Sequence, residues 1–153
     1  MTSDVIQQVC RNGHQIEGPL VKYCPRCGTD TISQCPKCHS NLSGISKSSS
    51  NEREERNIKL PYYCHSCGDP FPWTVTTMET LEELYKGIDA LNEEGKRVFI
   101  KDIEEIIKDS PKAKVAAIRI RTLIERIPPI AAKIVSDMIT DISSDSIRKI
   151  ILS

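Results

Sequence analysis

The chain has 153 residues, with 21 Lys plus Arg balanced by 21 Asp plus Glu. Apolar residues, counted with glycine and without tyrosine, make up about 41% of it, below the usual 45–50%. These figures argue against one large core, and the neutral balance argues against a general polyanion binder, which would carry a net basic footprint. No apolar run approaches the roughly 18–20 residues of a membrane span, and no charged-then-apolar signal segment opens the chain. A cytoplasmic protein without membrane contact is expected.

Composition changes sharply near residues 73–77. All seven cysteines and all three histidines lie before that point, as do six of the nine prolines, whereas sixteen of the 21 isoleucines follow it. Two modules are expected. Residues 1–75 read as a small zinc-ribbon or zinc-knuckle module of short β-hairpins and loops. Residues 76–153 read as an all-α bundle of four to five helices.

In chain order, the first motif is Cys10-Arg11-Asn12-Gly13-His14, where Asn-Gly makes a turn that brings Cys and His together. Three CxxC pairs follow: Cys24-Pro25-Arg26-Cys27, Cys35-Pro36-Lys37-Cys38 and Cys64-His65-Ser66-Cys67. Two intervening residues let a tight turn aim both thiolates at one ion. A glycine after the second Cys (Gly28, Gly68) permits a positive φ that brings backbone N–H groups to the sulfurs. Tetrahedral zinc takes four ligands, so seven Cys plus His14 complete two sites with no thiol left over. Sequential pairing gives Cys10, His14, Cys24 and Cys27 for one site and Cys35, Cys38, Cys64 and Cys67 for the other. It is favoured over a cross-braced arrangement because it closes shorter loops. The polar insert near residues 43–58 reads as a flexible excursion from the second site.

Closed, thiolate-rich ligand sets suit two structural Zn2+ ions rather than catalytic ones, which keep a position open for water. Redox iron in a four-thiolate site is the competing reading, which His14 and the long insert fit badly. His39 and His65 read as exposed or hydrogen-bonded neighbours of the loops. The aromatic stretch from Tyr62 to Trp73 reads as an apolar cap over the loops, with a base-stacking platform as the alternative.

From Thr77 the apolar spacing becomes helical. Met78, Leu81, Leu84, Tyr85, Ile88 and Leu91 mark a first helix, with Gly95 placed to stop it. Val98, Phe99, Ile103, Ile106 and Ile107 mark a second. Ser110-Pro111 can open a third, whose core face would hold Ala116, Ile120, Leu123, Ile124 and Ile127. After Pro128-Pro129, Ile130, Ile134, Met138 and Ile142 mark a fourth, and Ser144 can cap a short fifth with Ile147, Ile150 and Ile151. Residues 79–94 hold six acids and one base, and residues 112–133 six bases and one acid. These runs read as solvated or mutually facing helix surfaces.

Neither a phosphate-cradling loop, nor a GxSxG elbow, nor HExxH is found, and the thiols are spent on metal, so no enzyme and no small-molecule substrate are expected. The expected function is a non-enzymatic adaptor whose two zinc sites shape a binding surface while the helical half docks a protein partner or self-associates. The alternative is a nucleic-acid-binding accessory protein using Arg11, Lys22, Arg26 and Lys37 beside the knuckles. A third reading is an enzyme site at the junction of the two modules.

The four Cys/His motifs, the stretch from Tyr63 to Thr74, the segment from Ser110 to Arg119 and the ending from Asp141 to Leu152 resemble an uncharacterised bacterial family, a domain of unknown function with an N-terminal zinc ribbon. The resemblance spans nearly the whole chain. It implies bacterial origin, zinc binding and the two-part layout, and it implies no activity.

Overall fold

The computed structural model describes residues 8–42, 60–87 and 92–153. The chain divides into two compact units, Met1–Thr76 and Thr77–Ser153. The polar insert near residues 43–58, together with Ile88 and Leu91 of the expected first helix, lies outside the described residues.

The first unit contains a three-stranded antiparallel sheet, β1 (Gln8–Cys10), β2 (Gln15–Ile16) and β3 (Thr31–Ile32), in the order β2-β1-β3. Val9 is opposite Gln15 on one side and Ile32 on the other. Strands of two or three residues cannot hold a sheet by pairing alone. Side chains supply the rest: Gln8 donates to the Pro19 carbonyl at 2.7 Å and accepts from the Val21 N–H at 3.0 Å. The core is small. Val9, Leu42, Phe71 and Trp73 pack with Cys35 and Cys64, and Ile32, Leu60 and Tyr62 close its edge.

Phe71 and Trp73 stack at 4.7 Å, and the indole N–H donates to the Pro61 carbonyl at 2.9 Å. Both rings are buried, so they form the expected apolar cap. The base-stacking alternative is corrected for this pair, because rings inside a core offer no face to a base.

Among the described residues five helices follow the sheet: α1 (Pro72–Lys86), α2 (Glu93–Lys108), α3 (Ala113–Ile124), α4 (Pro129–Ile142) and α5 (Asp145–Leu152). α1 begins five residues before the expected Thr77. Proline suits the first helical position, and the Phe71 carbonyl accepts from the N–H groups of Thr74 and Val75. The division between the units therefore falls inside this helix.

Gly95 does not stop a helix. It lies in the first turn of α2, where its N–H donates to the side chain of Asn92, the N-cap, at 2.8 Å. Glu93 and Glu94 in that turn oppose the positive end of the helix dipole. α2 closes at Asp109, which takes a left-handed conformation with φ of 48°. Ser110 and Pro111 form a turn before α3 instead of its first turn: the Ser110 carbonyl accepts from the Ala113 N–H at 2.9 Å, and its hydroxyl accepts from the Lys112 N–H at 3.2 Å.

α3 packs against both α2 and α5. Its inward residues Ala113, Ala116 and Ala117 are small enough to let those neighbours approach, with Ile120 filling the remaining space. The expected face of α4 needs correction. Val135, Ile139 and Ile142 are buried, whereas Ile130 is 79% and Ile134 43% exposed. Ser144 is the N-cap residue of α5, yet its hydroxyl accepts no backbone N–H of that helix; it donates to the Asp109 carboxylate at 3.1 Å and lies 3.3 Å from the Ser146 hydroxyl. Among the described residues no helix is long and apolar enough to cross a membrane.

Candidate metal centres

Two groups of four ligand atoms converge in the first unit: Cys10, His14, Cys24 and Cys27, and separately Cys35, Cys38, Cys64 and Cys67. Within each group every ligand atom lies within 4.8 Å of the others. The grouping follows the sequential pairing.

The distances identify the chemistry. Cys10 and Cys27 sulfurs are 3.7 Å apart, Cys35 and Cys67 are 3.7 Å apart, and Cys38 and Cys64 are 3.6 Å apart. A disulfide would need about 2.05 Å. A tetrahedron with metal–sulfur bonds of about 2.3 Å places its sulfurs about 3.8 Å from one another. His14 Nδ1 stands 3.4 Å from the Cys10 sulfur and 3.8 Å from that of Cys24, as a shorter metal–nitrogen bond requires.

The three CxxC turns share one backbone design. The N–H of the first cysteine donates to a carbonyl five residues on, from Cys24 to Thr29, Cys35 to Ser40 and Cys64 to Asp69, each at 2.8 Å. The residue after the second cysteine donates back to the first, from Gly28, His39 and Gly68. That residue has a positive φ of 75°, 62° and 77° respectively. An isolated bridge closes each unit, pairing Tyr23 with Asp30, Gln34 with Asn41 and Tyr63 with Pro70. The middle turn thus carries a histidine where its siblings carry glycine. Neither His39 nor His65 joins a ligand group among the described residues.

Backbone donors tune the sulfurs. The His14 N–H reaches the Cys10 sulfur at 3.3 Å, and the Ser66 N–H reaches that of Cys64 at 3.4 Å. The backbone N–H and hydroxyl of Thr29 bring the Cys27 thiol down to about 5. Contacts with the hydroxyl and backbone N–H of Ser40 bring Cys38 to about 6. Cys67 goes the other way: the Asp69 backbone N–H lowers it, but burial and the thiols of Cys35, Cys38 and Cys64 push it up to about 12. Four sulfurs this close do not all ionise without a cation among them, and a dication is the species that allows it.

Each site is also clamped by an ion pair between its two ligand loops. Arg11 reaches Asp30 at 3.2 Å across the first, and Lys37 reaches Asp69 at 2.7 Å across the second. Spacing singled out the two cations but missed their carboxylate partners, which stand three residues after Cys27 and two after Cys67 and share no fixed offset. Of the other basic candidates, Lys22 lies over the Tyr23 ring at 5.5 Å, and Arg26 makes no side-chain ion pair among the described residues.

Three substitutions test the turn geometry. Gly28→Ala meets no neighbour within 4 Å, so it costs only its left-handed backbone, about 1 kcal/mol. Gly13 has φ of +93°, and an added Cβ would also stand 3.2 Å from Trp73 Cβ. Gly13→Ala is therefore expected to cost about 2–3 kcal/mol, read as the larger fall in thermal midpoint. Conversely, His39→Gly relieves a left-handed residue and is expected to stabilise the metal-loaded protein by about 0.5–1 kcal/mol after the greater entropy of unfolded glycine is deducted. Denaturant titration of the metal-loaded protein checks this sign.

A family model described as "Uncharacterized protein conserved in bacteria (DUF2321)" matches residues 3–151. Comparisons with curated proteins and with solved structures gave no match. The chain belongs to this bacterial family.

Proposed function

For this DUF2321 member we propose a non-enzymatic interaction protein. Two structural zinc ions rigidify the loop surface of the first unit, and the helical unit docks a protein partner or a second copy. A cytoplasmic location goes with this reading. Zinc is favoured over iron because one ligand set includes His14, a donor set that suits a borderline-soft dication. Four protein ligands fill a tetrahedral ion, which leaves no coordination position for a substrate or an activated water.

One observation supports docking above the rest: apolar side chains remain on outward helix faces. Val115 and Ile118, three apart on α3, are 54% and 56% exposed, and Ile130 and Ile134, four apart on α4, are also exposed. Burying such residues stabilises a complex by about 25 cal/mol per Å² of apolar surface, less the cost of association.

The test is a tagged pull-down from the native host at natural expression, with and without nuclease, comparing the natural chain with Ile118→Glu and Ile130→Glu. Partners that survive nuclease and are lost from the folded variants support docking. Partners that vanish with nuclease and with added salt overturn it in favour of nucleic-acid binding through Arg11, Lys22, Arg26 and Lys37, since phosphate contacts weaken steeply with salt.

A further inference from the structure

A groove of about 420 Å³ lies within the helical unit, between α2 and the face formed by α3 and the residues after it. That volume is in the range of about 300–1,000 Å³ typical of small-molecule sites. Its walls are mainly apolar, with Phe99 from α2 and Ile120 and Leu123 from α3. Arg119 and Leu123, four apart on α3, face the groove together, and Arg126 in the turn after α3 also lines it.

The charged groups sort into two kinds. Asp102 is buried, and Arg119 neutralises it at 3.1 Å, so this pair is satisfied internally. Glu94 and Arg126 also line the groove, and among the described residues neither side chain has an ion pair or hydrogen bond. Their charges are opposite.

We propose that this groove binds a small zwitterion with an apolar body, the class of hydrophobic amino acids and short hydrophobic peptides. The ammonium pairs with Glu94, the carboxylate pairs with Arg126, and the apolar body lies on Val98 and Leu123. A simple anion would answer Arg126 but be repelled by Glu94, and a simple cation would meet the reverse problem.

The experiment is calorimetric titration of the metal-loaded full chain with phenylalanine and with the dipeptide Leu-Phe. N-acetyl-phenylalanine, which lacks the cation, and phenylalaninamide, which lacks the anion, serve as blocked forms. A zwitterion should bind saturably, and each blocked form of phenylalanine should bind about tenfold more weakly. In Glu94→Gln the advantage of phenylalanine over its N-acetyl form should disappear. In Arg126→Ala its advantage over the amide should disappear. Absence of saturable binding, equal binding of the blocked forms, or binding indifferent to both substitutions overturns the proposal.

Discussion

Removing the metal with a strong chelator is expected to unfold the first unit and leave most of the helical signal in place. The reason is the scale of its core. Val9, Leu42, Phe71 and Trp73 are its large buried side chains, and at about 1.5–3 kcal/mol each they cannot offset ordering several dozen residues at about 1–2 kcal/mol apiece. Structural zinc contributes about 10–16 kcal/mol per site at neutral pH, so two sites outweigh everything that core supplies. Trp73, the one tryptophan, is buried in this unit and hydrogen-bonded to Pro61, so its fluorescence reports the unit directly. Chelation should shift its emission to the red. Far-ultraviolet dichroism should fall only by the sheet and the first turn of α1, because residues 77–153 bury their own apolar set, including Leu81, Ile103, Ile120 and Ile139. Cys38→Ser should produce the same red shift without chelator. Equal loss of both signals would mean that the helices depend on the metal loops.

Arg119→Ala is the second large effect, expected to cost about 2–3 kcal/mol at neutral pH. Removing one partner of a buried pair strands the other charge at about 3–5 kcal/mol, and the half-exposed Arg119 side chain admits enough water to reduce that figure. Burial already holds the Asp102 carboxyl above its ordinary value, with Arg119 pulling it back and Glu105 pushing it further up. Without Arg119 the folded value rises again. An acid with a folded value above its unfolded one weakens the fold when ionised, so the penalty is full above the folded value. It disappears below the unfolded value of about 3.9. The difference between natural and variant chains, followed by helical dichroism, should therefore close as pH falls towards about 4. Asp102→Asn in the Arg119→Ala background should recover most of the loss at neutral pH. A deficit that does not change with pH would assign the effect to packing of the arginine stem.

The ligand groups were legible because metal geometry operates over a few residues: CxxC spacing and a turn at Asn12-Gly13 determine which atoms can meet. The shared turn of the three knuckles was legible at Gly28 and Gly68, and it was hidden at His39, where the same left-handed position holds a residue that reads as a side chain instead of a hinge. The helices were visible in the isoleucine spacing, but the phase of α4 was not. Ile130, Ala131, Ala132, Ile134, Val135, Met138 and Ile139 put apolar groups on almost every side of it, so periodicity cannot choose the buried one. Packing against α2, α3 and α5 makes that choice, and it selects Val135 and Ile139. Gly95 was misread because glycine near a helix boundary serves either end, and Asn92-Glu93-Glu94 was the stronger sign of a start. Asp102 gave no signal of its own. One acid among many on a helix becomes distinctive only when the fold buries it under an arginine.

The proposed function stands on two filled, structural zinc sites, which elemental analysis counts directly in the natural chain beside Cys38→Ser and Cys27→Ser, all purified without added metal. Two zinc ions per natural chain, a loss of zinc in each variant, and no visible absorption are the predicted result. Folded natural protein with less than one metal per chain, or protein carrying iron with thiolate-to-metal absorption in the visible, would contradict it.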